Sequence, residues 1–188
     1  MILQEYFPAF NEYFKESVFQ VFQDNKALPE KDWVKERVYL ELNEKEFEEI
    51  NKRGGGVYFT PNFCKGGRRK EHLTKLNCAF ADLDVAKNGD GTSSEEIQRR
   101  KGVLTQALLY DRISPNFIID TKNGLQALWL LADEPLTEQL KESFTLLEQG
   151  IIEWSKGFGG KGDNVKDFVR VMRLPGYFHM KSEPFRCT

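Results

Sequence analysis

Two carboxylates stand two residues apart at the end of an apolar run, Asp82 and Asp84 in LNCAFADLDV (76–85). In a strand, side chains at i and i+2 leave the same face, so the two acids converge while Leu83 turns the other way. No base stands between them, and paired acids favour a cation in the space they share. Mg²⁺ or Mn²⁺ suits such oxygen donors, and a third carboxylate would allow a two-metal site. Alone, an Asp-x-Asp pair is weak, because a solvated strand end can carry the same residues. The apolar stretch ahead of it plants this pair at the edge of a core.

Three chemistries use such a pair. A haloacid-dehalogenase-type phosphatase takes the first Asp as nucleophile and the second as acid. A nucleotide-sugar glycosyltransferase holds Mn²⁺ on a diphosphate. A nucleotidyltransferase clamps the α-phosphate between two ions. Two further segments bear on the choice. In TKNGLQALW (121–129), polar turn residues including Lys122 run into a strand whose one polar side chain is Gln126. In DNVKDFVRVMRLPGYFHMK (163–181), Asp163 and Asp167 accompany Arg170, Arg173, a Pro-Gly turn, His179 and Lys181. Acids for metal and bases for phosphate in one stretch are what a nucleoside triphosphate site requires.

Taken in order, FADLD, TKNGLQ and DNVKDFVRVMRLPGYFHMK resemble the three motifs of the archaeo-eukaryotic primase superfamily, with its primase-polymerases and RepB-like primases of plasmids and phages. The resemblance covers roughly residues 56–181, and its third motif is the distinctive one. It implies a template-directed nucleotidyltransferase that makes primers on single-stranded DNA from NTPs or dNTPs with Mg²⁺ or Mn²⁺. Asp82 and Asp84 match the first two metal ligands. Asp163 is the first choice for the third and Asp167 the second. Arg173 and His179 match groups near the triphosphate, and Lys122, Gln126, Arg170 and Lys181 join them as nucleotide-binding candidates. Gln126 stands where the family normally has histidine; glutamine can donate a hydrogen bond to phosphate but carries no charge. The loop bases Lys65, Arg68, Arg69 and Lys70 are candidates for nucleic-acid backbone contact. The resemblance also implies a mobile-element origin and leaves room for a longer protein, helicase domains often following such cores. A reading from another class is a non-catalytic replication-initiation module that binds single-stranded DNA.

These residues need elements to hold them. The spacing of Tyr6, Phe10, Tyr13, Phe14, Phe19 and Phe22 predicts one amphipathic helix, or two, interrupted near Pro8. A helix is expected over Glu44–Lys52, a strand over Val57–Thr60, and a buried strand over Leu76–Val85. A helix follows from Ser93 to about Arg112, then a hairpin of Phe117–Asp120 and Leu125–Leu131, then a helix over Thr137–Trp154. Helices and strands mix without strict alternation, which favours α+β. The resemblance adds an RRM-like catalytic sheet joined to a smaller α/β unit, with N-terminal helices. The expected division is a helical accessory region at 1–53 and a catalytic core at 54–188.

The chain has 188 residues, 30% of them charged, and a formal net charge of −2. That near-zero sum argues against a polyanion partner until it is divided along the chain. Residues 1–50 carry 12 acids and 6 bases, whereas residues 51–188 carry 17 acids and 21 bases. Affinity for a polyanion follows the local field rather than the total. No apolar run approaches the roughly 20 residues that span a bilayer, and MILQEYF lacks the pattern of a signal peptide. A cytoplasmic protein with no membrane partner is expected. Three widely spaced cysteines (Cys64, Cys78, Cys187) fit a reducing compartment.

Overall fold

The aromatic N-terminus folds into two short helices and a strand. In the computed structural model, which describes residues 2–87, 89–112, 114–132, 136–162 and 167–188, α1 (Ile2–Tyr6) gives way to α2 (Pro8–Phe14) at Pro8. Proline is tolerated there because the first helical position needs no N–H donor. Phe19 and Phe22 do not continue the helix as expected; FQVFQ forms β1 (Phe19–Gln23). Alternating aromatic and branched residues suit a pleated strand, and Phe19 and Phe22 lie on opposite faces of it.

The chain continues through β2 (Arg37–Tyr39), α3 (Glu44–Lys52), β3 (Gly55–Phe59) and the paired β4 (Phe63–Cys64) and β5 (Leu73–Lys75). Asn43 caps α3, its side chain accepting from the Glu46 N–H. Next come β6 (Cys78–Asp84), α4 (Ser94–Tyr110), β7 (Phe117–Asp120), β8 (Gly124–Leu130), α5 (Glu138–Lys156) and β9 (Lys161–Gly162). Ser93 and Thr137 cap α4 and α5 by the same device. Last are β10 (Met172–Arg173), β11 (Phe178–His179) and β12 (Phe185–Arg186).

The chain divides into two units, and not at the expected 53/54. One holds Met1–Thr74 with Val169–Thr188; the other holds Lys75–Phe168. The reason lies in the ladders. β1 is hydrogen-bonded to β2 and β3, and β3 to β10, so residues before 54 supply half of one four-stranded sheet rather than a separate helical layer. Phe10 and Phe14 of α2 pack their rings on Phe59 at 5.0 Å each, and Phe47 of α3 lies 5.8 Å from Phe19. On the other side of β3, Phe22 stacks on Tyr58 at 4.2 Å.

The second unit runs β6-α4-β7-β8-α5-β9 in the chain and β7-β8-β6-β9 in space, with the three pairings antiparallel. This is the βαββαβ order of RRM and ferredoxin-like sheets. Its middle strands are β6 and β8, paired over seven residues each. The expected α+β class with an RRM-like sheet and N-terminal helices is what the chain adopts.

Candidate active site

Asp82 and Asp84 are half-buried near the end of β6, and Leu83 between them is fully buried. Across the ladder, Asp82 faces Gln126, Leu83 faces Leu125 and Asp84 faces Gly124. On the other edge, Asp84 faces Lys161 and Leu83 faces Gly162. Directly opposed residues share a face, so Asp82, Asp84, Gln126 and Lys161 project together. The helices lie behind the other face at this end. A Cβ on Gly162 would meet Ile152 of α5 at 2.6 Å. Lys101 of α4 pairs with Asp120, the ladder neighbour of Leu125.

Gly124 is required by close approach. A Cβ there would sit 2.2 Å from the Leu83 carbonyl oxygen and 2.7 Å from Asp84 Cα. The place beside Asp84 is therefore closed to any side chain from β8.

The turn carrying Lys122 is tied to the residues that follow Asp84. The Asn123 carbonyl accepts the Val85 N–H at 2.8 Å and the Ala86 N–H at 3.3 Å, while Thr121 closes the turn on the Gly124 carbonyl through its N–H and its hydroxyl. Two consecutive residues of α4 then secure both strand ends. Arg100 donates to the Val85 carbonyl at 3.1 Å, and buried Lys101 donates to the Thr121 carbonyl at 2.8 Å while ion-pairing with Asp120. The following loop closes on Asp90, which accepts the Lys87 and Thr92 N–H groups. Those hydrogen bonds lower its carboxyl to about 2.

Of the other acids, Asp163 lies outside the described residues and Asp167 is half-buried just ahead of Phe168. Among the described residues, no three His, Cys, Asp or Glu side chains gather as a metal site. The three cysteines are buried and form no disulfide, and burial pushes the Cys78 thiol up.

The remaining candidates belong to the first unit. Arg173 is buried on β10, directly opposite Tyr58 of β3, with its guanidinium 4.8 Å above the Tyr58 ring. It donates to Asp24 at 2.8 Å, and the same carboxylate accepts the Tyr58 hydroxyl at 2.6 Å and the Met180 N–H at 3.2 Å. Burial opposes the charge on Asp24, but Arg173 and these hydrogen bonds outweigh it and hold the carboxyl below its usual range. Burial first, then Asp24, pushes the Tyr58 phenol up. Arg173 thus has a fixed seat rather than a loop position.

Asp24 is the residue that sequence reasoning missed. It sits in a polar QDNK stretch, and its partner is 149 residues away. A run of polar residues after an alternating strand gives no signal for such a pair.

His179 is buried on β11 opposite Phe185, Arg170 is half-buried, and Lys181 is exposed. In the β4–β5 connection, Lys65, Arg69 and Lys70 are exposed. Arg68 instead turns onto the Val169 carbonyl at 3.2 Å, and Arg69 approaches Glu71 at 3.8 Å.

No family model matches the chain. Over 146 residues it is 27% identical to a protein named replication protein from Clostridium perfringens, a match that takes in 77% of this chain. The chain spans about a third of that relative's length, 33%. Its structure is similar to the AEP domain of the cyanophage S-2L primase-polymerase, with a TM-score of 0.61 and 17% identity, over 96% of this chain and 86% of that one. At that identity the likeness bears on architecture, and the chain shares the α+β fold of that AEP domain.

Proposed function

We propose that this chain is the catalytic part of a DNA primase or primase-polymerase, joining nucleotides on a single-stranded DNA template. One observation carries the reading: Asp82, Asp84 and Gln126 project from one face of the two middle strands of an RRM-like sheet, and at that end α4 and α5 pack behind the other face. The sequence similarity to a replication protein and the fold likeness to a primase-polymerase domain support it.

The donor set suits a hard divalent cation, with two carboxylates on one strand face and a glycine where a side chain would crowd Asp84. Asp82, Asp84 and, in this proposal, Asp163 would hold Mg²⁺ or Mn²⁺; Asp167 is the alternative third donor. When bound, such ions lower the pKa of an attacking 3′-hydroxyl and neutralise the pyrophosphate that leaves.

The protein's own groups supply the rest. Gln126 donates a hydrogen bond to a phosphate oxygen, and Lys122, on the turn fastened to Val85 and Ala86, offsets phosphate charge. Arg173, His179, Arg170 and Lys181 keep the phosphate-binding role that the resemblance assigns them. Lys65, Arg68, Arg69 and Lys70 keep the backbone role, with Arg68 the weakest member because it already donates to Val169. A helicase domain or protein stands as the expected companion.

The second reading, a non-catalytic replication-initiation module, is equally compatible with the relative's name. A nucleotide-incorporation assay on a short primed template, with Mg²⁺ or Mn²⁺ and then with EDTA, separates the two. The catalytic reading expects extension that EDTA abolishes. Single-stranded DNA binding without extension under any metal condition would replace it with the second reading.

A further inference from the structure

Among its acids, the N-terminal half of the first unit gathers bases around two adjoining grooves. One, of about 490 Å³, is lined by Lys31, Lys52 and Arg53 together with Asn25, Gly54 and Met180. The other, of about 390 Å³, shares Lys31 and Arg53 and adds Lys35, Arg37 and Trp33. Lys31, Lys35, Lys52 and Arg53 are exposed, and among the described residues none of them forms an ion pair. Arg37 is different, being paired with Glu46 at 3.2 Å. Asp32 and Glu49 are the other acids on the two linings, so the four bases outnumber them.

The bland explanation covers one base. Lys52 is in the last turn of α3, where a cation complements the helix dipole. It does not account for Lys31 and Lys35, which reach the same surface from the segment before β2. Nor does it account for two exposed, unpaired lysines on one surface from residues 1–50, where acids outnumber bases two to one. Trp33 stands between Lys31 and Lys35 in the chain, half-buried, its indole N–H fixed on the Leu28 carbonyl at 2.8 Å. An anchored aromatic among unpaired cations is the chemistry of a single-stranded nucleic-acid groove, where bases stack and phosphates are neutralised.

We propose that the surface formed by Lys31, Trp33, Lys35, Lys52 and Arg53 is a binding groove for single-stranded DNA, separate from the Lys65–Lys70 loop. The partner's identity as DNA rests on the proposed template-directed function. An acidic polypeptide would use the cations but has no need of the tryptophan.

The test uses the 188-residue chain in EDTA, with a fluorescent oligothymidylate of about 20 residues and anisotropy read across a salt series. The fourfold variant Lys31→Ala, Lys35→Ala, Lys52→Ala, Arg53→Ala is expected to bind at least about tenfold more weakly at moderate salt. The slope of log affinity against log salt should flatten by about 3, near 0.7 per lost contact. Trp33→Phe should retain binding and Trp33→Ala lose roughly tenfold at unchanged salt slope. Replacing the three lysines by arginine should keep wild-type affinity, and thermal melting confirms that each variant is folded.

Wild-type affinity and slope in the folded fourfold variant would overturn the groove. Competition by polyglutamate as effective as by unlabelled oligonucleotide would overturn DNA as its partner. Asp82→Ala separates this from the catalytic reading, since it should bind like wild type and fail to extend. Extension by Asp82→Ala would sink the catalytic assignment and leave the groove standing.

Discussion

Asp82 and Gln126 are directly opposed across the β6–β8 ladder, so the polar side chain that interrupts LQALWLL leaves the sheet on the same face as the paired carboxylates. The two candidate motifs they come from are 44 positions apart in the chain and adjacent in the sheet. An apolar strand tolerates a buried glutamine only if its amide finds partners, and the ladder places this one beside two acids. Gln126 is 4% exposed, so its conformation is set by the sheet.

Gln126→Ala should therefore raise the nucleotide KM with little change in kcat. A hydrogen bond to a charged phosphate is worth about 1.5 kcal/mol or more, or at least about tenfold. Steady-state incorporation kinetics check this. An unchanged KM removes Gln126 from nucleotide binding.

Gly124→Ala and Gly150→Ala should move stability in opposite directions. At 124 the new Cβ overlaps backbone, the Leu83 carbonyl oxygen at 2.2 Å, and neither strand can retreat without opening the ladder beside Asp84. A loss of about 2–3 kcal/mol is expected. At 150, in α5, a Cβ meets nothing within 4 Å, and alanine should add about 0.5–1 kcal/mol. Urea denaturation of both variants reads the contrast.

Lys101→Met should destabilise the chain by about 2–3 kcal/mol, because it leaves Asp120 and the Thr121 carbonyl without the ammonium they share. Asp120 is partly exposed, 35%, so water softens the loss. Lys101→Met with Asp120→Leu should recover most of it. With Asp120→Leu measured alone as well, a double-variant loss equal to the sum of the two single losses would show that the pair carries no coupling.

Much of the second unit was legible in the sequence, since its signals are local. Ser93, Thr137 and the Thr121–Gly124 turn announce their elements within four residues, and LNCAFADLDV is apolar up to its acids. The first unit was harder. Phe19 and Phe22 follow the helical spacing of Phe10 and Phe14, and nothing within five residues says that β1 finds hydrogen-bonding partners at 37–39 and 55–59. The division of the chain was missed for the same reason. Residues 1–53 look acidic and helical by composition, yet their strands complete a sheet whose outer member, β10, comes from residues 172 and 173. The seat of Arg173 was beyond reach too, because only the fold brings Asp24 to it.

Asp24 should confer an acid limb on stability. Burial raises its carboxyl pKa, but Arg173, Tyr58 and the Met180 N–H lower it by more, so the folded value lies below the unfolded one. Stability from such a group is complete above the unfolded pKa of about 4 and is lost as pH falls toward the folded value. Asp24→Asn should cost about 3 kcal/mol at neutral pH. It should also flatten the fall in melting temperature below about pH 4. Thermal melts from acid to neutral pH test both. An unaltered acid limb in Asp24→Asn would assign that limb to other carboxylates.

The most direct test of the central claim is primer extension by Asp82→Ala and Asp84→Ala in Mn²⁺, with thermal melting and single-stranded DNA binding measured on the same preparations. The account predicts that each variant melts at or above the wild-type temperature, binds DNA as wild type does, and loses extension by at least about a hundredfold. Wild-type-like extension by either variant would contradict it.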